Sequence, residues 1–163
     1  MDLIIDVEPM YEDIATSKIK VSFIVKEGQN IEPHHYLFEK DEALCDDKLA
    51  QKINEASHIY FFDSVKTIDF MLTNKKVRKE ELMPKAIDLL NLYNIKPTRG
   101  RYIRMLAFNS FIEKHGCSLL WMLKSAQEIF KTEFYSYDTR YTVASILRIV
   151  DAIIPDNNSL SKQ

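Results

Sequence analysis

The run Leu3-Ile4-Ile5-Asp6-Val7 constrains the fold more than any other stretch of the chain. Successive side chains of a strand point to opposite faces of its sheet. Leu3, Ile4, Ile5 and Val7 therefore give apolar groups to both faces. A short β-branched run of this kind, stopped by Pro9, predicts a strand in the middle of a sheet that is covered on both sides. At a sheet edge, half of those side chains would face water.

The segments that follow give the sheet neighbours. From Lys18 the pattern alternates, with Ile19, Val21, Phe23 and Val25 on one face and Lys18, Lys20, Ser22 and Ile24 on the other. Glu27-Gly28-Gln29-Asn30 has turn chemistry, and His35 to Phe38 reads as the return strand. Asp46-Asp47 can cap a helix whose residues Leu49, Ile53 and Ala56 share one stripe. Ile59 to Phe62 is a fourth short apolar strand, after which Asp63 or Ser64 can cap a helix with Val65, Ile68, Met71 and Leu72 inward. Between Glu80 and Tyr93 two readings compete, a helix started by Pro84 and a strand over Ile87 to Leu92.

The rest is helical. Thr98 can cap a helix that runs to about Lys114, where His115-Gly116 supplies a cation and a stop. Leu119, Met122, Leu123, Ala126, Ile129 and Phe130 keep helical spacing, as do Val143, Ile146, Leu147, Val150 and Ile154 after Asp138. Trp121 and Met122 read as core on the first of these stripes. A helix between two strands forces some parallel pairing, so the expected class is α/β. It has an opening antiparallel three-strand unit, alternating helices and strands, and a helical C-terminal third. One domain is expected over residues 1–154, with a mobile polar tail at 155–163.

Composition narrows the class. With 163 residues, 46% apolar and 28% charged, a core that removes roughly 70% of the unfolded surface is within reach without a metal or disulfide staple. Three Gly and five Pro exclude a collagen-like or low-complexity chain. Apolar runs such as Leu119 to Leu123 are too short to span a bilayer. Met1-Asp2-Leu3 lacks the start of a signal peptide, and Cys45 and Cys117 form neither a disulfide framework nor a metal-ligand spacing. A cytoplasmic protein with no membrane association is the expectation. The formal charge of −2 hides an asymmetry: −8 over residues 1–65, +6 over 66–104, and zero beyond. Concentrated basic charge suits phosphates, although most such runs are simply solvated helix faces.

The acidic residues carry the sharper signal. Asp6 and Glu8 lie two apart at the end of the first strand, so both carboxylates leave the same face. Asp63 closes the fourth strand and Asp138 opens the last helix. Taken singly, Asp63 and Asp138 read as helix caps; taken together, all four stand where neighbouring elements could meet at one end of a sheet. Mg²⁺ favours such hard oxygen donors and often takes only one or two carboxylates per ion. His34 and His35 are adjacent on a strand and point to opposite faces, so they do not share an ion. Cys117 near His115 lacks an orienting acid.

Leu3-Ile4-Ile5-Asp6-Val7-Glu8 resembles the first motif of the DEDD (DnaQ-like) 3′–5′ exonucleases, a hydrophobic strand ending in Asp-x-Glu. Tyr60-Phe61-Phe62-Asp63-Ser64-Val65 followed by Phe70-Met71-Leu72 is similar to the second motif. Asp138, four residues before Thr142 in a helix rich in Ala and Leu, is similar to the third. The resemblance covers most of residues 1–154 and implies a ribonuclease H-like mixed sheet. The family places a His five residues before its last Asp or a Tyr four before it, and here those places hold Glu133 and Phe134. Pro9 also stands where the family usually has Thr or another small residue.

What the resemblance implies is a metal-dependent 3′–5′ exonuclease that hydrolyses phosphodiester bonds at the free 3′ end of single-stranded DNA or RNA. Two Mg²⁺ or Mn²⁺ ions would bridge the scissile phosphate, with Asp6, Glu8 and Asp138 as direct ligands and Asp63 acting through water. Deprotonation of the attacking water would fall to the metal or to Glu133. Lys66, Lys75, Lys76, Arg78 and Lys79, with Arg99, Arg101 and Arg104, would meet the phosphate backbone. Two rivals use the same residues: a catalytically inactive nuclease-like protein that binds nucleic acid through the basic 66–104 segment, and a protein-interaction module of a virus or mobile element whose acidic N-terminal half docks a basic partner.

Overall fold

A computed structural model describes residues 1–10, 18–39, 46–62, 64–95, 109–114, 116, 118–134 and 138–152. Three strands open the chain: β1 (Asp2–Met10), β2 (Lys18–Glu27) and β3 (Asn30–Glu39). β4 (His58–Phe61) and β5 (Ala86–Asp88) complete one five-stranded sheet in the order β3-β2-β1-β4-β5. β1 pairs antiparallel with β2 and parallel with β4, β2 is antiparallel to β3, and β4 is parallel to β5. The class is therefore α/β with a mixed sheet. β1 is central, as its two apolar faces require, and Leu3, Ile4 and Ile5 have no exposed surface.

The strands outrun their sequence signals. β1 passes through Pro9, whose Cα pairs with Ile19, and ends at Met10. β3 begins at Asn30 rather than His35 because the Gly28 turn, at φ +58°, lets the return strand pair from its first residue. Pro33 fits there because β3 is the last strand in the order, where a missing ladder donor is tolerated.

The two faces bury different partners. Leu3, Ile5, Val7, Phe23, Ile59 and Phe61 pack under α1 (Asp47–Glu55) and α2 (Ser64–Leu72). Asp46 caps α1 by accepting from the Leu49 backbone N–H at 3.0 Å, and Leu49 and Ile53 are buried. Ile4, Ile24 and Tyr60 face the other way, against α3 (Leu119–Phe130) and α4 (Thr139–Ala152). In the 80–93 segment neither reading holds as a whole: a helical turn Lys79–Leu82 precedes Pro84, which lies inside a 3₁₀ turn Met83–Lys85, the strand β5 stops at Asp88, and Leu89–Leu92 is a last helical turn capped by Asp88. Residues 109–114 are helical, while Thr98 and the tail at 155–163 lie outside the described residues. One core assignment is corrected: Met122 is buried, but Trp121 is 47% exposed and lies against the Arg148 guanidinium, 4.6 Å from its ring centre.

α4 positions the acidic corner. It packs along β1 and β2, with Thr139 at its start against Ser22 and Asp151 near its end 3.5 Å from Lys26. The helix thus runs in the same direction as β2 and sets its N-terminus over the Lys20–Ser22 end of that strand.

Candidate functional site

Register places the polar residues of this face in rows. Asp6 on β1 stands opposite Ser22 on β2, which stands opposite His35 on β3. One step along, Glu8 stands opposite Lys20. These rows continue the face that starts with Ile4 and Ile24, so the surface changes from apolar to charged within one strand length. Asp6 is 2% exposed and Ser22 is fully buried.

The start of α4 closes over them. Ser22 Oγ lies 2.6 Å from Thr139 Oγ1 and 2.7 Å from His35 Nδ1. A single hydroxyl proton on Ser22 makes this a directional chain. Either Ser22 donates to the ring and accepts from Thr139, or the ring donates to Ser22 and Ser22 donates onward to Thr139.

Asp138 is the N-cap of α4 and more. Its Oδ1 accepts from the Arg140 backbone N–H at 2.9 Å and from Arg140 Nε at 3.0 Å, and its Oδ2 accepts from Arg140 Nη2 at 3.0 Å. Lys20 Nζ stands 3.8 Å from the same Oδ2. Arg140 is held in turn over the Phe134 ring, 4.9 Å from its centre. Planar guanidinium matches a carboxylate with two parallel bonds, which is the strong form of this contact. Burial pushes the Asp138 carboxyl up, but the Arg140 hydrogen bonds, its charge and the charge of Lys20 outweigh that and hold it below the ordinary carboxylate value. Burial lowers the His35 ring, Arg140 and Lys20 lower it further, and Asp138 opposes them, so the ring stays neutral below the usual histidine range.

The residues that resemble the exonuclease motifs are distributed as follows. Asp6 and Glu8 lie on the face that α4 covers, and Asp138 sits above it next to Lys20, the partner of Glu8. Asp63 lies outside the described residues, as do Arg99, Arg101 and Arg104. Glu133 is exposed in the segment between α3 and α4. Lys66, Lys75, Lys76, Arg78 and Lys79 are all exposed, but their neighbours Phe70, Met71 and Val77 pack on the opposite face of the sheet. Lys76 pairs with Asp47 at 2.8 Å, and Arg78 lies 3.5 Å from Glu81.

Among the described residues of this donor set, Asp138 is not open to a divalent ion. Both oxygens of Asp138 are taken by one guanidinium, and an ammonium group stands at the same carboxylate. An ion there would replace solvation with two repelling cations. Among the described residues no group of three or more His, Cys, Asp or Glu side chains is placed to hold a metal ion.

Several members of this corner carried no signal of their own in the sequence. Ser22 and Lys20 were visible only as polar residues on a strand face, and Arg140 only as a residue near Asp138. The one clue was spacing: an Arg two residues after an N-cap Asp can bend back onto it. Among the described residues no helix is long and apolar enough to cross a membrane. No family model, curated protein or solved structure matches the chain.

Proposed function

We propose that the chain is a ribonuclease H-like domain of the DEDD type that binds single-stranded nucleic acid without hydrolysing it. The fold part of this reading is supported by the β3-β2-β1-β4-β5 order, with three antiparallel strands followed by parallel ones and a C-terminal helix carrying Asp138. The binding part rests on one observation. The exposed cations Lys66, Lys75 and Lys79 ride on the layer that covers one face of the sheet, whereas Asp6, Glu8 and Asp138 belong to the other. A strand lying on this layer meets exposed cations away from the corner carboxylates, with Asp47 and Glu81 of the same layer paired to Lys76 and Arg78, and it does not need the acidic corner.

Fluorescence anisotropy with a labelled single strand tests the reading. Binding should weaken as salt rises, and Lys66→Gln with Lys75→Gln and Lys79→Gln should flatten the log–log salt slope by about 2, near 0.7 for each phosphate that is no longer neutralised. Asp138→Asn should leave affinity unchanged. Shortening of the strand in Mg²⁺ or Mn²⁺ would restore the exonuclease reading. No binding to DNA or RNA at low salt would sink the proposal and favour a basic protein partner for the acidic N-terminal half.

A further inference from the structure

The acidic corner poses a question that strand binding does not answer: what neutralises Asp138 and its neighbours where the resemblance calls for divalent ions? We infer that the chain supplies the cations itself. Arg140 and Lys20 stand at Asp138 where divalent ions would otherwise bind, so the Asp138 carboxylate is neutralised from within the chain and has no appreciable affinity for Mg²⁺ or Mn²⁺. The observations are geometric. Arg140 binds both carboxylate oxygens through Nε and Nη2 at 3.0 Å each. Lys20, opposite Glu8 in the β1–β2 register, reaches 3.8 Å from Oδ2.

Arg140 is also held on its far side. Its guanidinium rests on the buried Phe134 ring at 4.9 Å, and its backbone N–H is committed to the same Asp138 oxygen. A long cation fixed by its own backbone, an aromatic face and a two-point contact is pre-organised, and the entropy of ordering it is already met in the folded state. A hydrated divalent ion would have to shed water and displace this group together. Phe134 stands four residues before Asp138, where the resembled family can carry a Tyr. The aromatic ring faces the guanidinium and brings no hydroxyl to a reaction.

Isothermal titration with Mn²⁺ alone, on the whole chain, is the direct test, and it does not involve nucleic acid. Wild type should show no Asp138-dependent heat. Arg140→Gln keeps the backbone donor of the cap and removes the charge, so it should bind Mn²⁺ at least about tenfold more tightly than wild type, since one unit charge near 4 Å is worth more than that. Adding Asp138→Asn to Arg140→Gln should erase the gain. The inference is overturned if wild type binds Mn²⁺ and Asp138→Asn abolishes it. It is equally overturned if folded Arg140→Gln shows no gain, or a gain that survives Asp138→Asn. Should Arg140→Gln fail to fold, Lys20→Gln carries the same expectation with a smaller gain, and the wild-type titration still decides. Loss of strand binding in the anisotropy experiment would leave this result untouched.

Discussion

The two faces of the sheet are built from the same strands by opposite means. On the α1–α2 face, Leu3, Ile5, Val7, Phe23, Ile59 and Phe61 form an unbroken apolar surface. On the α3–α4 face, the apolar surface of Ile4, Ile24 and Tyr60 gives way to Asp6, Ser22, Lys20 and His35 at one end. The first face is stabilised by area removed from water, which is non-directional. At the polar end of the second, each group needs a particular partner at a particular distance, because a buried polar group without one is costly. A continuous core fixes the fold, and the polar end, whose partners are specific, is where chemistry or its loss is recorded.

If that division holds, the largest losses belong to the apolar face. Phe61 is 1% exposed on β4 beneath α1 and α2. Phe61→Ala should lower unfolding free energy by about 3–5 kcal/mol, read from urea melts with an unchanged slope. Asp138→Ala, on the polar end, should cost less, about 2–3 kcal/mol, by removing the cap and leaving Arg140 without its carboxylate. A larger loss at Asp138 than at Phe61 would break the contrast.

The pH dependence of the same pair sharpens it. Asp138 titrates below its unfolded value, so its contribution is present above about pH 4, the ordinary Asp range. It is lost as pH falls through the lower folded value. The stability gap between wild type and Asp138→Asn should be flat above pH 5 and close in acid. Phe61→Ala should keep its deficit throughout. A gap that keeps its full size throughout the acid range would mean that the Asp138 charge contributes little.

The apolar surfaces of both faces were the legible part. Alternation in β2, the two-sided run in β1 and the helical stripes of α1, α3 and α4 are periodic signals, and periodicity follows directly from backbone geometry. The extra length of β3 was not legible, because Ile31, Glu32 and Pro33 owe their strand state to pairing with β2 and not to their own propensity. Trp121 sat on a helical stripe by spacing, yet it lies at the margin of the core beside Arg148. At the acidic corner, the shared face of Asp6 and Glu8 follows from strand period, and an Asp before a helical stripe reads as a cap. That Arg140 would close on Asp138 was not readable. It depends on a two-residue bend at the helix start and on Phe134 behind it, which are matters of tertiary contact.

Ser22→Ala probes the polar end with less force. The hydroxyl is fully buried and bridges His35 and Thr139. Its removal leaves one buried partner group short, for a loss of about 1–2 kcal/mol. Thr139→Val removes the other end of the same chain, so the two substitutions together should lose less than the sum of their separate effects. Strict additivity would show that the Ser22–Thr139 contact carries no coupling.

The smallest expected effect is also the most specific, and it lies in the titration of His35. The ring is exposed at one edge and tied to Ser22 through Nδ1 at the other. Burial, Arg140 and Lys20 lower its proton affinity while Asp138 raises it. In proton NMR, the His35 ring should titrate below 6.5, the ordinary value. Arg140→Gln removes a repelling cation and should move it up, whereas Asp138→Asn removes an attracting charge and should move it further down. A depressed folded value means that the neutral ring is favoured. The associated stability is therefore present above pH 6.5 and declines as pH falls through the folded value, and His35→Gln should lack this decline. On the opposite face His34 stacks on Phe23 at 4.6 Å, away from this corner. A His35 titration that neither substitution moves would mean that these charges do not act on the ring, and the account of the polar end as a set of specific partners would fail.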